Sequence, residues 1–140
     1  MLKMIVMILI LILKEANNYS ARCEFRGGIE EYLQAASSVM ADNGIFVVCE
    51  NWLNNDRVYS GAKSAGLRMK QVYPIKGKYG RKENLFGVYV LVREVRCIAE
   101  QEENGIVAEP LSVRTSCGKW TLKYADLLET MSIPANHDAK

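Results

Sequence analysis

The sequence predicts an α/β domain that forms the terminal half of an open sheet. Three observations support this fold class. A helical pattern precedes the wholly apolar run Ile45 to Cys49, a second helical pattern follows it, and two β-rich segments, Leu67 to Ile75 and Leu85 to Val95, end the series. A strand that is apolar on both sides needs cover on both faces of its sheet, which is the arrangement of α/β proteins.

The first helix is predicted from a repeat of apolar residues after Gly27 and Gly28. These residues recur at the i, i+3, i+4, i+7 spacing of one helical face, at Ile29, Tyr32, Leu33, Ala36, Val39 and Met40. A single apolar stripe of this kind indicates a helix that packs on the predicted sheet.

The second helix is predicted from its end signals. One of Asn54, Asn55 and Asp56 caps it, it runs through Ala65, and Gly66 ends it. This helix connects the apolar run to the next strand, as expected of a crossover in an α/β sheet.

The last two β-rich segments are predicted to form an antiparallel hairpin. Leu67 to Ile75 alternates apolar and polar residues, as a half-buried strand does. Only the loop KGKYGRKEN joins it to the strand Leu85 to Val95. A parallel crossover needs about a dozen residues or more, so this loop is too short for one.

The N-terminal run from Met4 to Leu13 is apolar and has three interpretations. As a helix its ten residues rise about 15 Å, which is half of a bilayer core and too short for a transmembrane span. The run fits the apolar core of a secretory signal, although no small-residue cleavage site follows promptly. It also fits a fully buried parallel strand or helix. A misplaced start of the reading frame is the third interpretation.

Composition and charge fit one globular domain with a positive face. The chain has 140 residues, 49% of them hydrophobic, and a net charge of only +2. Eight basic residues between positions 57 and 82 are not interrupted by any acidic residue: Arg57, Lys63, Arg68, Lys70, Lys76, Lys78, Arg81 and Lys82. If their side chains converge in space, they form a positive surface.

The cysteines predict a reducing compartment and no metal site. The four cysteines form no Cys-x-x-Cys pair, and the single histidine, His137, lies in a polar tail. Zinc needs clustered thiolate or imidazole ligands, which this spacing does not supply. We therefore expect a cytoplasmic protein, with a secretory or membrane-associated protein as the alternative that Met1 to Leu13 leaves open.

Four pieces of the chain carry a family resemblance: ARCE before the first helix, DNGIFVVCE after it, AGLRMKQVYPI with its basic loop, and the tail EPLSVRTSCGKWTLKYADLLE. They resemble the C-terminal half of class I S-adenosylmethionine-dependent methyltransferases, and are most similar to the tRNA-valine adenine-N6 methyltransferases. The resemblance implies a Rossmann-like sheet that ends in an antiparallel hairpin. We therefore divide the chain into an apolar N-terminal segment over 1–19, the half that resembles the methyltransferases over 20–131, and a polar tail over 132–140.

The motifs that this family uses for chemistry are missing from the sequence. Such enzymes hold S-adenosyl-L-methionine in a glycine-rich turn after the first strand, and no Gly-x-Gly occurs here. The amino-methylating branch also uses an Asn-Pro-Pro-aromatic stretch, whereas Pro74, Pro110 and Pro134 are unpaired. We therefore expect a truncated, inactive chain with no catalytic or cofactor-binding residue of its own.

The resemblance places RNA contacts on the basic hairpin loop. The candidates are Lys76, Lys78, Tyr79, Arg81 and Lys82. Flexible cations bind phosphates without reading sequence, and a tyrosine can stack on a base. A merely solvated loop is the alternative.

Three other residues are candidates with simpler alternatives. Arg22 and Glu24 match the family's Ala-Arg-x-Glu piece and would order the loop after the catalytic stretch, or form only a surface ion pair. Trp52 follows the apolar strand at the edge where ligands bind in such sheets, and we expect it to serve packing.

Two functions follow as expectations. The first is a methyltransferase family member whose ancestral reaction is N6-methylation of adenine in tRNA, with RNA as partner. The second is a non-catalytic, RNA-binding or partner-completing remnant. In either case Ile45 to Cys49 would lose a neighbouring strand unless Met4 to Leu13 pairs with it. An open apolar edge of that kind predicts self-association.

Overall fold

The structure, a computed structural model, describes residues 27–93 and 105–134. These residues form the helices α1 (Ile29–Val39), α2 (Asn55–Ser64) and α3 (Leu122–Thr130), and the strands β1 (Ile45–Asn51), β2 (Leu67–Lys78), β3 (Phe86–Arg93), β4 (Ile106–Val107) and β5 (Leu111–Arg114). A 3-10 turn, Trp52–Asn54, links β1 to α2. The predictions for Met1 to Leu13, for Arg22 and Glu24, and for the tail after Pro134 lie outside the described residues.

The described strands form one mixed sheet with β3 between β1 and β2. Both neighbours are antiparallel to β3, so β1 and β2 are parallel to each other. β4 and β5 pair in parallel with the other edge of β2. The predicted hairpin is confirmed, with β2 and β3 in register from Leu67 opposite Arg93 to Ile75 opposite Phe86.

Helices cover both faces of the sheet. α1 and α2 pack on one face, where Leu33, Val58 and Tyr89 are fully buried. α3 packs on the other face, where Tyr124 and Leu128 meet buried residues of β2 and β3. Each fully buried apolar side chain of this size contributes about 1.5–3 kcal/mol, so these two clusters hold the three layers together. The predicted α/β fold is confirmed.

Helix α1 is anchored at its start and end by specific hydrogen bonds. The backbone N–H of Gly28 donates to Glu31 Oε2 at 2.6 Å, which satisfies one of the free donors at the helix start. At its other end, Arg93 of β3 donates to the Ser37 carbonyl oxygen at 2.7 Å. These bonds fix α1 over the sheet. The helix has the predicted position, but Tyr32 and Val39 of its apolar stripe are exposed.

Helix α2 follows its predicted signals with one difference. It begins after the N-cap residue Asn54, and Gly66 follows the C-cap with φ +68°, a conformation that favours glycine. The Asn54 side chain does not cap the helix, because its Nδ2 donates to Glu50 Oε1 at 3.0 Å instead. The amide is thus used to order the turn after β1.

Two sequence predictions differ from the structure. Strand β2 continues to Lys78, so Lys76 and Lys78 belong to the strand and not to the hairpin loop. The extension exists because β5 pairs alongside it, with Lys76 opposite Ser112. Strand β1 is only half-buried, because among the described strands it pairs with β3 alone.

No helix within the described ranges has the length and apolar character needed to cross a membrane.

Candidate functional site

The candidate residues gather at one edge of the sheet, which we call the carboxyl edge. Strands β1, β2 and β5 are parallel and end there at Asn51, Lys78 and Arg114. Residue Asn51 is level with Ile75 of β2 through their common neighbour Phe86. Strand β2 therefore extends three residues, or about 10 Å, beyond the end of β1.

The base of the hairpin loop is joined to the turn after β1. The backbone N–H of Trp52 donates to the Leu85 carbonyl oxygen at 3.1 Å, and the N–H of Leu85 donates to the Ile75 carbonyl oxygen at 2.7 Å. Trp52 is half-buried against the core on the α1 and α2 face. Its packing role, which the sequence favoured, agrees with this position.

Strand β5 brings further cations to the carboxyl edge. Arg114 lies opposite Lys78 in the parallel register, and its carbonyl oxygen accepts from the backbone N–H of Tyr79 at 2.6 Å. A tight turn follows, in which Arg114 Nη1 donates to the Gly118 carbonyl oxygen at 2.7 Å and the Lys119 carbonyl oxygen accepts from the N–H of Thr115 at 2.6 Å. Arg114 and Lys119 are not among the candidates predicted from the sequence, because only the β2–β5 pairing brings them to the hairpin.

We call the resulting surface the basic rim. It consists of Lys76, Lys78, Arg81, Lys82, Arg114 and Lys119. Within the described part of the chain, none of these residues forms an ion pair with a carboxylate. Tyr79 lies among them with 69% of its surface exposed. The cations are therefore available to bind an anionic partner.

The other four cations of the predicted positive face do not join the rim. Arg57 pairs with Glu30 of α1 at 2.8 Å, and this guanidinium lowers the pKa of Glu30. Arg68 and Lys70 lie at the opposite end of β2, so Arg68 is about 33 Å along the strand from Lys78. Lys63 lies in the last turn of α2. The eight cations of the predicted positive face therefore do not form one surface, and only the four in and beside the hairpin loop belong to the basic rim.

A polar cluster occupies the end of β1 beside the rim. Glu50 Oε1 accepts from the backbone N–H of Asn51 at 2.8 Å and from Asn54 at 3.0 Å. Asn55 Oδ1 accepts from the hydroxyl of Tyr89 at 3.0 Å. The cluster satisfies its own hydrogen bonds, so it orders the start of α2 and leaves few groups for a ligand.

Tyr89 and Gly87 fill the space beneath this cluster. The ring of Tyr89 folds over Gly87, where a Cβ atom would lie 2.5 Å from the tyrosine Cζ. Burial, with the nearby carboxylate of Glu50 as a smaller cause, raises the pKa of Tyr89. The tyrosine is therefore a neutral hydrogen-bond donor at physiological pH.

Cys49 lies next to the cluster and is not an activated nucleophile. Burial is the main cause that raises its pKa to about 12, and the Glu50 carboxylate adds to the shift. A thiol of that pKa is protonated at pH 7 and reacts slowly. Among the described residues, no three His, Cys, Asp or Glu side chains group as metal ligands do.

Two buried polar atoms near the rim have no hydrogen-bond partner among the described residues. They are Asn84 Oδ1 in the hairpin loop and Thr115 Oγ1 in the turn after β5. Both segments lie at the carboxyl edge, so these atoms add polar groups beside the cations.

Comparison with known proteins finds solved structures that share part of this architecture. The crystal structure of a predicted O-methyltransferase, Atu636 from Agrobacterium tumefaciens, matches 79% of this chain and 50% of that one, with a TM-score of 0.59 and 14% identity. Two structures of M1.HpyAVI, one described as its SAM complex, have TM-scores of 0.37 and 0.36, identities of 10% and 9%, and cover 62% and 56% of this chain and 50% of each of those chains. No protein-family model and no curated protein matches.

The match to the predicted O-methyltransferase shows the fold of the chain. The described residues share the α/β fold of that protein, and the chain spans about half the length of the solved structures that it matches. One fold can serve many functions, so activity and substrate have to be argued from the residues of the site.

Proposed function

We propose that the chain forms one half of an S-adenosylmethionine-dependent methyltransferase domain that acts on RNA. The observation that carries the proposal is the fold match to the predicted O-methyltransferase from Agrobacterium tumefaciens over 79% of the chain. The proposed setting is the cytoplasm, where Cys49 and Cys117 stay reduced as the free thiols that they are here.

The described residues do not fit the cofactor on their own. Dinucleotide-type sites in such sheets need a glycine-rich turn that lets the ligand approach the backbone. The turn after β1 is Trp52–Asn54 and has no glycine, while the space over Gly87 is filled by Tyr89. We therefore propose that cofactor binding and chemistry need a complementary segment that carries the glycine-rich turn and the Asn-Pro-Pro-aromatic stretch.

The basic rim supports RNA as the substrate class. Its six cations come from β2, the hairpin loop and the segment after β5, and they flank the exposed ring of Tyr79. Phosphate contacts position a nucleic acid without reading its sequence, and an aromatic ring stacks on any base. The finer proposal, N6-methylation of an adenine in tRNA, rests on the family resemblance of the sequence.

Calorimetry with S-adenosylmethionine tests the cofactor part of the proposal. We expect the purified 140-residue chain to show no binding tighter than a dissociation constant of about 100 µM, which corresponds to roughly 5.5 kcal/mol. Tighter binding would mean that this chain contains a cofactor site after all.

The nucleotide sequence upstream of the Met1 codon tests the origin of the chain. An in-frame Gly-x-Gly turn and an Asn-Pro-Pro-aromatic stretch should be found there, and the extended protein should transfer a labelled methyl group to tRNA. The 140-residue chain is the matched control and should transfer none.

The second candidate function is RNA binding without catalysis. The convergence of the basic rim favours it, because the rim needs no cofactor. Absence of both motifs upstream, together with salt-dependent RNA binding by the chain alone, would support this function over the enzyme.

A further inference from the structure

The outer edge of β1 is open in the described sheet. Strand β1 uses one edge for its seven register pairs with β3. No described strand pairs with its other edge, and Ile45 is 37% exposed. The strand is apolar on both faces, so this edge would invite association if nothing covered it.

The flank of α1 next to this edge is also apolar and exposed. Glu30 and Ser37 face α2: Glu30 accepts from Arg57 Nη2 at 2.8 Å, and Ser37 Oγ donates to the C-cap carbonyl of α2 at 2.6 Å. Tyr32 follows Glu30 by two residues, and Val39 follows Ser37 by two residues, which is about 200° around the helix in each case. They lie on the flank away from α2, with exposures of 53% and 84%.

The order of the elements indicates that this flank lies toward the open edge of β1. The chain passes from β1 through α2 to β2, so α2 lies toward β3 and β2 as seen from β1. The opposite flank of α1 therefore lies beyond β1 on its outer side. Together, the edge of β1 and the flank of α1 with Tyr32 and Val39 form one apolar surface at the side of the sheet, which we call the apolar step.

The handedness of crossovers fixes where a preceding strand can dock. Connections from a strand through a helix to a parallel strand are right-handed in about 98% of cases. Because α1 and α2 cover the same face, both crossovers must advance in the same direction across the sheet. The connection through α2 advances from β1 toward β2. A parallel strand that precedes α1 must therefore lie on the outer side of β1.

The direction of α1 fits such a strand. Its C-terminal end is held by Arg93, which lies level with the first residues of β1 and β2. Its N-terminal end is joined through Glu30 to the first turn of α2 at the carboxyl edge. A strand parallel to β1 would end at that same edge. The connection over residues 14–28 would then join the end of this strand to the start of α1 across a short distance.

We propose that this apolar step is the docking surface for the chain's own segment Met4 to Leu13, which adds to the sheet as a strand parallel to β1. The segment has ten apolar residues in sequence, and it would span about 33 Å when extended. This is longer than the seven residues of β1. A strand buried between a helix layer and a sheet neighbour has this uninterrupted apolar composition.

Zero-length carbodiimide cross-linking of the full chain tests the direction of docking with native residues. In a parallel pair Lys14 lies near Glu50 of β1, whereas Lys3 lies near Glu50 in an antiparallel pair. We expect the Lys14–Glu50 product in the monomer fraction. A Lys3–Glu50 product in its place would overturn the proposed topology.

Hydrogen–deuterium exchange of the full chain tests the pairing itself. We expect peptides over residues 4–13 and 45–51 to be protected together at all protein concentrations, in a monomer by light scattering. Fast exchange of both peptides would overturn the proposal. Protection of 45–51 only in a dimer would also overturn it, since a second copy would then occupy the edge.

A pair of double variants separates docking from a general loss of folding. Ile8→Asp with Ile10→Asp should remove protection from 45–51 and cause self-association, while β2 and β3 stay protected. The matched control is Ile106→Asp with Leu122→Asp, which adds the same charge at positions that are 64% and 80% exposed. The control should keep the wild-type exchange pattern, and identical behaviour of the two variants would refute the proposal.

Discussion

Arg93 at the end of β3 donates its Nη2 to the carbonyl oxygen of Ser37 at 2.7 Å, near the C-terminal end of α1. The same side chain donates through Nε to the Met40 carbonyl oxygen at 3.0 Å. The last carbonyls of a helix have no partner within the helix, and they carry its partial negative charge. A cation from the sheet therefore both satisfies and neutralises the end of α1.

Replacing Arg93 should lower the free energy of unfolding more than replacing a neighbouring arginine. Arg93→Met removes the charged hydrogen bonds to α1, and we expect a loss of about 1.5–3 kcal/mol in urea unfolding. Arg68→Met on β2 is the matched control and should change stability by less than about 0.5 kcal/mol. Equal losses in the two variants would show that the bonds from Arg93 to the helix end contribute nothing.

Gly87→Ala should destabilise the chain because of Tyr89. The new methyl carbon would lie 2.5 Å from the tyrosine Cζ, and the ring is fully buried, so it cannot move away freely. Overpacking of this kind costs about 1–3 kcal/mol. In Gly77→Ala, the control, the new Cβ would meet only Leu85 Cδ2 at 3.4 Å.

A double-mutant cycle identifies Tyr89 as the cause. In a Tyr89→Leu background, Gly87→Ala should cost less than in the wild type, since the ring is gone. An unchanged cost would place the conflict in the backbone of β3 instead.

The thiol of Cys49 should resist alkylation. Its pKa of about 12, against an ordinary value of 9.0, leaves about a thousandfold less thiolate at pH 8. With iodoacetamide at pH 8, peptide mass spectrometry should show the exposed Cys117 modified long before Cys49. Comparable rates would mean that the edge of β1 opens on the timescale of the reaction.

Stability should fall on the alkaline side. Burial raises the pKa of Cys49 and of Tyr89 above their values in the unfolded chain. The contribution of these two groups to the free energy of unfolding is therefore fully present below about pH 9. It is lost as the pH rises toward 12, because the unfolded chain loses these protons first. Urea unfolding at pH 7, 9 and 10.5 should show this decline, and Cys49→Ala should make the decline between pH 9 and 10.5 shallower.

RNA binding by the basic rim should depend steeply on salt. If about four cations reach phosphates, the logarithm of affinity should fall against the logarithm of salt with a slope of roughly −3 for a single strand. Alanine at Lys76, Lys78, Arg81 and Lys82 together should flatten that slope. Fluorescence anisotropy with a tRNA anticodon stem-loop measures it, and no binding at about 50 mM salt would favour a merely solvated loop.

Two double variants then locate the surface. Arg114→Ala with Lys119→Ala should reduce the slope by roughly 0.7 for each phosphate that the variant no longer neutralises. Arg68→Ala with Lys70→Ala removes the same charge from the far end of β2 and should leave the slope unchanged. A reversed result would place the RNA at the other end of the sheet.

Local signals in the sequence predicted α1, α2 and the hairpin well. The apolar spacing at Ile29 and Leu33 predicted α1, and Gly66 predicted the end of α2 because few other residues adopt its backbone conformation. Loop length alone predicted the antiparallel pairing of β2 with β3.

Long-range pairing could not be predicted from those signals. Nothing near Lys76 indicates that Ser112 lies beside it, and that pairing extends β2 by three residues beyond its predicted end. It also adds Arg114 and Lys119 to the candidate site. Periodicity reports which side of an element is apolar, but it does not report which segment covers that side.

The parallel pairing of β5 with β2 also has a consequence for the growing polypeptide on the ribosome. Residues 79–110 separate the end of β2 from the start of β5, and at about 5–20 residues per second their synthesis takes a few seconds. During that interval the edge of β2 has no β5 to cover it. Lys76 and Lys78 lie on that strand, and charged lysines deter pairing with other chains. The cations proposed to hold RNA in the finished protein would thus protect the nascent one from aggregation.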